Sequence, residues 1–221
     1  MRRLSVSTLR YILDNWDTLG PQVVVHLETV GLCAVIAGAI GIALGIVAAR
    51  SDRFATIILA VTSTILTIPS FALFGLLSIW FGLGNPPVVI GLILYALLPI
   101  VRNTRAGIAA VDPAVSEAAR GMGMSPLQVL TRVQLPLAIP VILGGLRQAT
   151  VMIVAIATVG AAVGANNLGQ PIFSALTRDT GTLEQVLAGI IPVALIGIIA
   201  DAGLATVQRF LAKGRVTVAA T

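Results

Sequence analysis

The side chains that could do chemistry in this 221-residue sequence are few, and most of them stand alone. There is a single histidine, His26, a single cysteine, Cys33, and a single lysine, Lys213. One cysteine allows no intrachain disulfide and no cysteine cluster, and one histidine excludes the usual His-based metal site. Cys33 lies inside an apolar run and reads as a buried structural thiol. His26, at the start of that run, reads as an interfacial or packing residue. A phosphate-binding loop needs Gly-Lys-Ser/Thr after a glycine-rich turn, whereas Lys213 follows Ala212 and precedes Gly214. The chain is not expected to hydrolyse ATP by itself. With no His cluster and no nucleophile–base pair, it is read as a non-enzyme with no catalytic residue, metal or cofactor of its own.

Charges inside apolar runs are the second kind of candidate. Arg147 lies seven residues beyond Pro140, and Asp201 eight residues before Arg209. At about 1.5 Å per helical residue, both should sit about 10–13 Å deep in a membrane. An unpaired charge is costly at that depth, so the two are expected to pair, as a structural clamp in preference to a proton relay. Glu28, near one end of the first apolar run, could attract a cation or simply mark an interface.

The elements that must position these groups follow from composition. Of the residues, 57% are apolar and 10% charged, against about 45–50% and about 25% in a soluble domain. A soluble fold of this size would have too little charge to cover its exterior, so the chain is read as an all-α membrane protein. About 20 apolar residues cross a bilayer, and five segments qualify: 23–49, 54–81, a third from Pro86-Pro87 to Arg102, 138–163 and 186–207. The third is short unless Arg102 and Arg105 snorkel to the interface. Pro69 and Pro99 should interrupt the second and third spans. Gly41 with Gly45, and Gly160 with Gly164, have the GxxxG spacing that favours close helix contacts, including contact with a second chain. In residues 1–20 no apolar core follows the arginines, so a signal peptide is not expected there. Leu9, Ile12, Leu13, Trp16 and Leu19 share one helical face there. That spacing suits a short helix lying in the membrane surface or an ordinary exposed amphipathic one. Residues 21–221 would form the membrane domain.

Arginine placement sets the orientation. Arg50-Ser51-Asp52-Arg53, the segment from Arg102 to Arg132, and Arg209, Lys213 and Arg215 fall on one side, expected to be cytoplasmic. Gly82-Leu83-Gly84-Asn85 falls on the other. The N-terminus is then outside and the C-terminus inside, against the pull of Arg2, Arg3 and Arg10.

Between the third and fourth spans, residues 112–136 form a cytoplasmic segment longer than a mere link, which usually takes about 2–8 residues. Asp112 suits an N-cap and Pro113 a first turn. Gly121 and Gly123 should end that helix, and Ser125-Pro126 should start another. Within it, Glu117-Ala118-Ala119 is followed by Gly123 and then by Val133, Leu135 and Pro136. This pattern resembles the Glu-Ala-Ala…Gly…Ile-x-Leu-Pro loop of permease subunits of bacterial ABC importers, with valine in place of isoleucine. The resemblance implies the type I importer permease fold. It makes Glu117, Ala118, Ala119, Gly121, Gly123, Leu135 and Pro136 the contact with ABC ATPase subunits, which would use ATP and Mg.

The runs Thr67-Ile68-Pro69-Ser70, Leu97 to Thr104 and Pro136 to Pro140 resemble the osmoprotectant subfamily. That resemblance implies glycine betaine, carnitine or choline as solute. It also implies a second permease, identical or paralogous, an extracellular or periplasmic binding protein, and a place in the bacterial inner membrane. Another small solute, such as an amino acid, fits the same loop. An ion-coupled secondary transporter would require internal repeats that the sequence does not show. Aromatic residues make up 5% of the chain, too few for an evident cation cage. Selectivity is therefore assigned to the binding protein, with Thr67, Pro69 and Ser70 lining a low-affinity path. The family's glycine-rich run after the fourth span reads Gly164-Ala165-Asn166-Asn167-Leu168-Gly169 here, and its asparagines could take left-handed backbone. No nucleic-acid partner is expected.

Overall fold

The computed structural model describes residues 2–213, and every regular element among them is helical. Helix α1 (Arg2–Asp14) breaks at Asn15 into α2 (Trp16–Arg50). Then follow α3 (Asp52–Thr67), α4 (Ser70–Phe81), α5 (Asn85–Ala109) and the short α6 (Pro113–Gly121). A composite helix comes next: α7 (Pro126–Val129), a π turn (Leu130–Gln134), α8 (Leu135–Ala157) and a 3-10 turn (Thr158–Val163). It is followed by α9 (Gly169–Thr177) and α10 (Leu183–Lys213). Four helices are long and apolar enough to cross a membrane, and the bent pair α3–α4 makes a fifth if counted as one span.

Helix α5 is the centre of the molecule because small residues let its neighbours close on it. A Cβ on Gly41 of α2 would lie 2.7 Å from Ile100 Cγ2, and one on Gly45 would strike Thr104. On the other flank, a Cβ on Gly145 of α8 would meet Asn103 Cβ at 2.6 Å. Tyr95, Leu92, Ile100, Phe74 and Ile153 fill the core so formed. The Gly41–Gly45 spacing thus serves a contact within the chain. Gly160 likewise packs on Val88, and Gly164 is the left-handed turn residue with φ of 87°.

The expected third span proves longer than its uncharged stretch. It runs 25 residues and carries Arg102 and Arg105 on its last turns. Pro99 does not interrupt it: Asn103 Nδ2 donates to the Pro99 carbonyl at 2.8 Å, and the ring is buried in the core. Pro69 behaves as expected, with α3 and α4 meeting there at 98°. The carbonyl of Ile68, left without a helical partner by the break, accepts from Tyr95 Oη at 2.8 Å.

The two ends of the bundle are distinct. At one, Arg105 Nη2 meets Asp52 Oδ1 at 2.9 Å, and a cavity of about 270 Å³ lies between Arg50, Ile108, Arg120 and Leu130. At the other, Gly84 N donates to the Val163 carbonyl at 2.8 Å, and Ser7 Oγ donates to Glu184 Oε1 at 3.2 Å. That last bond sets α1 beside the start of α10. The interfacial segment expected over residues 1–20 is therefore a helix ending at Asp14, and Leu19 is buried in the body of α2. Leu9 and Leu13 remain exposed.

Candidate functional site

The loop singled out by sequence is a braced platform. Asp112 Oδ1 accepts from Ala114 N at 2.8 Å and caps α6, with Pro113 in its first turn. Ser125 and Gln128 form a reciprocal capping box that starts α7 with Pro126. Both helix starts lie where the residue types place them. The second helix differs from expectation: it is no separate knob but the first turn of a helix that continues through the fourth span to Val163. The loop proper therefore ends at Ser125.

Pro136 explains the π turn between them. It has no N–H for the Arg132 carbonyl, and its ring would crowd that oxygen. Leu135 N donates instead to the Leu130 carbonyl five residues back, and the turn widens. Gln134 Nε2, carried on that turn, donates to Ser116 Oγ of α6 at 3.4 Å.

The seven loop residues divide by position. Glu117, Ala118 and Gly121 are exposed on the outer face of α6, and Met122 beside them is 73% exposed. Ala119 and Ser116 are buried against the body, so Ala119 seats the helix and presents nothing outward. Leu135 packs on the cluster of Ile108, Leu130, Ala138 and Ile142, and Pro136 lies beside it in α8. Gly123 has φ of 85° and open space where a Cβ would stand. Its requirement is a left-handed backbone, not the absence of bulk.

Within the membrane, Arg147 of α8 and Asp201 of α10 meet as a bidentate pair. Arg147 Nη2 donates to Asp201 Oδ2 at 2.7 Å, and Nε donates to Oδ1. Gln208 Nε2 donates to the Pro140 carbonyl at 2.7 Å one layer nearer the α6 end. Two clefts flank the pair, of about 590 and 400 Å³. Thr67, Pro69 and Ser70 surround the α3–α4 bend some distance along the chain, and Thr67 Oγ1 donates to the Thr64 carbonyl at 2.7 Å. Glu28 is exposed on α2.

Sequence reasoning missed α9, because Gly169–Thr177 is too short and mixed to stand out by periodicity. It also misplaced the role of the asparagines. No residue other than glycine has positive φ among the described residues. Asn167 acts through its side chain, donating from Nδ2 to the Ala157 carbonyl and accepting from Gly169 N, both at 2.8 Å.

Residues 41–213 match the family described as binding-protein-dependent transport system inner membrane component. The chain belongs to this family. Curated relatives cover 79% to 93% of it. The carnitine transport permease protein OpuCD of Listeria monocytogenes is 38% identical over 93% of this chain and 94% of the relative. The glycine betaine/carnitine/choline transport system permease protein OpuCD of Bacillus subtilis is 43% identical over 79% and 76%. Osmoprotectant import permease protein OsmW of Salmonella typhimurium is 37% identical over 89% and 93%. Among solved structures, the MetNI methionine ABC transporter in an inward-facing conformation matches with a TM-score of 0.77 at 19% identity, over 88% of this chain and 96% of that one. This confirms the type I importer permease fold for the inner membrane component.

Proposed function

We propose that this inner membrane component forms half of the pathway of an ATP-driven importer for quaternary ammonium osmoprotectants such as glycine betaine, carnitine or choline. The observation that carries the reading is the similarity over 93% of the chain to a permease named for carnitine. The geometry of α6 supports it: a helix capped at its start, bonded to the fourth span and open on its outer face suits a rigid handle. A separate ATPase subunit, using ATP and Mg, would grip Glu117, Ala118, Gly121 and the Gly123 turn. Ala119, Leu135 and Pro136 would transmit the motion inward.

The remaining partners follow from the same reading. A binding protein outside the membrane delivers solute, and a second permease completes the pathway. OpuCD and OpuCB of Listeria monocytogenes, both named for carnitine transport, are 38% and 36% identical to this chain, so a paralogue fits the second place as well as an identical copy does. Solute passes the α3–α4 bend near Thr67, Pro69 and Ser70, where the broken helix frees backbone groups. Arg147 and Asp201 clamp the fourth and fifth spans in the resting state. The α6 end is cytoplasmic, α1 lies in the outer interface, and the chain sits in the bacterial inner membrane with its C-terminus inside.

The test is purification in mild detergent with the neighbouring genes co-expressed, followed by ATPase assays with and without loaded binding protein. An ATPase that co-purifies, is stimulated by glycine betaine-loaded binding protein, and loses that stimulation with Gly123→Trp is the expected result. Stimulation by none of betaine, carnitine or choline would remove the solute assignment. If no ATPase associates, the coupling role fails with it.

A further inference from the structure

The Arg147–Asp201 pair is more open than a pure clamp needs to be. The two side chains are 38% and 37% exposed, although they project from helices apolar enough to span the bilayer. Lipid tails are a poor neighbour for a partly bare ion pair, so this face borders a polar passage or a subunit seam. The two clefts beside it share Val151 and Asp201 and differ in chemistry. The larger, about 590 Å³, is walled by Val154, Val193, Gly197 and Ile198, with Asp201 as its one charged residue. The smaller, about 400 Å³, is walled by Gly144, Arg147, Gln148 and Gln208. Both fall in the range of small-molecule sites, about 300–1,000 Å³.

A quaternary ammonium has no N–H to donate, and its charge is spread over methyl groups. It therefore suits an apolar wall with one carboxylate at its edge. A carboxylate suits a guanidinium flanked by amides.

We propose that the Arg147–Asp201 pair is an exchange site for a zwitterion bearing both groups: its carboxylate replaces Asp201 on Arg147 in the smaller cleft, and its ammonium takes Asp201 from the larger one. Each charge keeps a partner throughout, so the helices part without leaving an ion bare, and the clamp opens most readily for a solute carrying both charges. A cation such as choline satisfies Asp201 but strands Arg147. The pair thus favours betaine and carnitine over choline inside the membrane. This rests on the osmoprotectant reading above and deepens it.

The experiment is uptake of labelled glycine betaine and choline by proteoliposomes holding the complete importer with its binding protein, scored per assembled complex. Arg147→Gln should lower the betaine-to-choline ratio at least tenfold. Should that chain fail to assemble, the neutral pair Arg147→Gln with Asp201→Asn, which strands no charge, is scored on the same ratio. The reversed pair Arg147→Asp with Asp201→Arg keeps an ion pair but turns it against the clefts. It should assemble and still take up betaine at least tenfold more slowly. A ratio unchanged within twofold, or betaine uptake recovered by the reversed pair to within threefold of wild type, overturns the exchange site and leaves a clamp. A wild-type importer that moves an unrelated solute and neither of these overturns the osmoprotectant reading itself, and the exchange site with it.

Discussion

Tyr95 holds the α3–α4 bend with one bond. Its ring is buried in the core and its hydroxyl donates to the Ile68 carbonyl at 2.8 Å, the acceptor that the break leaves unpaired. A hydrogen bond of this kind contributes about 1 kcal/mol net. Tyr95→Phe keeps the packing and removes only the donor, so it should lower the melting temperature by about 2–4 °C for a chain of this size. It should also slow uptake as the bend loosens. Thermal unfolding in detergent and uptake by reconstituted importer check this, and a melting point unchanged within 1 °C, as an order-of-magnitude threshold, would show that water replaces the phenol. Residue-scale chemistry was legible where type and spacing act through sequence alone. Asp112-Pro113 and Ser125-Pro126 start helices because capping is local. Arg147 and Asp201 could be matched because depth along two spans can be counted. Tyr95 could not be found that way, since its partner is 27 residues away across a break whose angle the sequence does not specify.

At the scale of elements, the π turn is what joins the handle to the span. Pro136 widens Leu130–Gln134, and the widened turn carries Gln134 to Ser116 of α6. Pro136→Ala restores the missing donor and lets the turn relax to α-helix, which turns α7 and α6 relative to α8. The variant should fold at least as well, because proline is the poorest helix former. ATPase stimulation by loaded binding protein should nevertheless fall about threefold or more as the handle is misaligned. Stimulation at the wild-type level would mean that α6 tolerates rotation. Ala119→Leu tests the same joint from the other side. Ala119 is 2% exposed, and overpacking of this kind costs about 1–3 kcal/mol, so α6 should lift and coupling fall, whereas Ala118→Leu on the exposed face should leave the melting temperature unchanged. The sequence reading separated α7 from the fourth span because Arg132 and Gln134 are polar and look like loop, yet a helix passes through them. It also undercounted α5, where burial against α2 and α8 extends the helix past Arg102 to Ala109.

For the whole molecule, the arrangement of ends decides whether α6 can meet a cytoplasmic ATPase at all. The arginines at the α6 end favour that side as inside, and those of α1 oppose it. Arg10 Nε lies 3.8 Å from Asp14 Oδ2 with both side chains largely exposed, and acidic neighbours count for little in that rule, so the conflict stands; α1 is held beside the start of α10 through Ser7 and Glu184. Cysteine labelling gives the test, because the native Cys33 is fully buried and should react little. With an impermeant maleimide on intact cells, Leu83→Cys and Arg10→Cys should label. Met122→Cys, which is exposed at the end of α6, should label only after the cells are opened. Labelling of Met122→Cys from outside would invert the chain and remove its handle from the compartment where ATP is. Labelling of Leu83→Cys but not Arg10→Cys from outside would leave the crossings in place and move α1 off the outer interface, so that its bond to α10 would no longer describe the protein in the membrane.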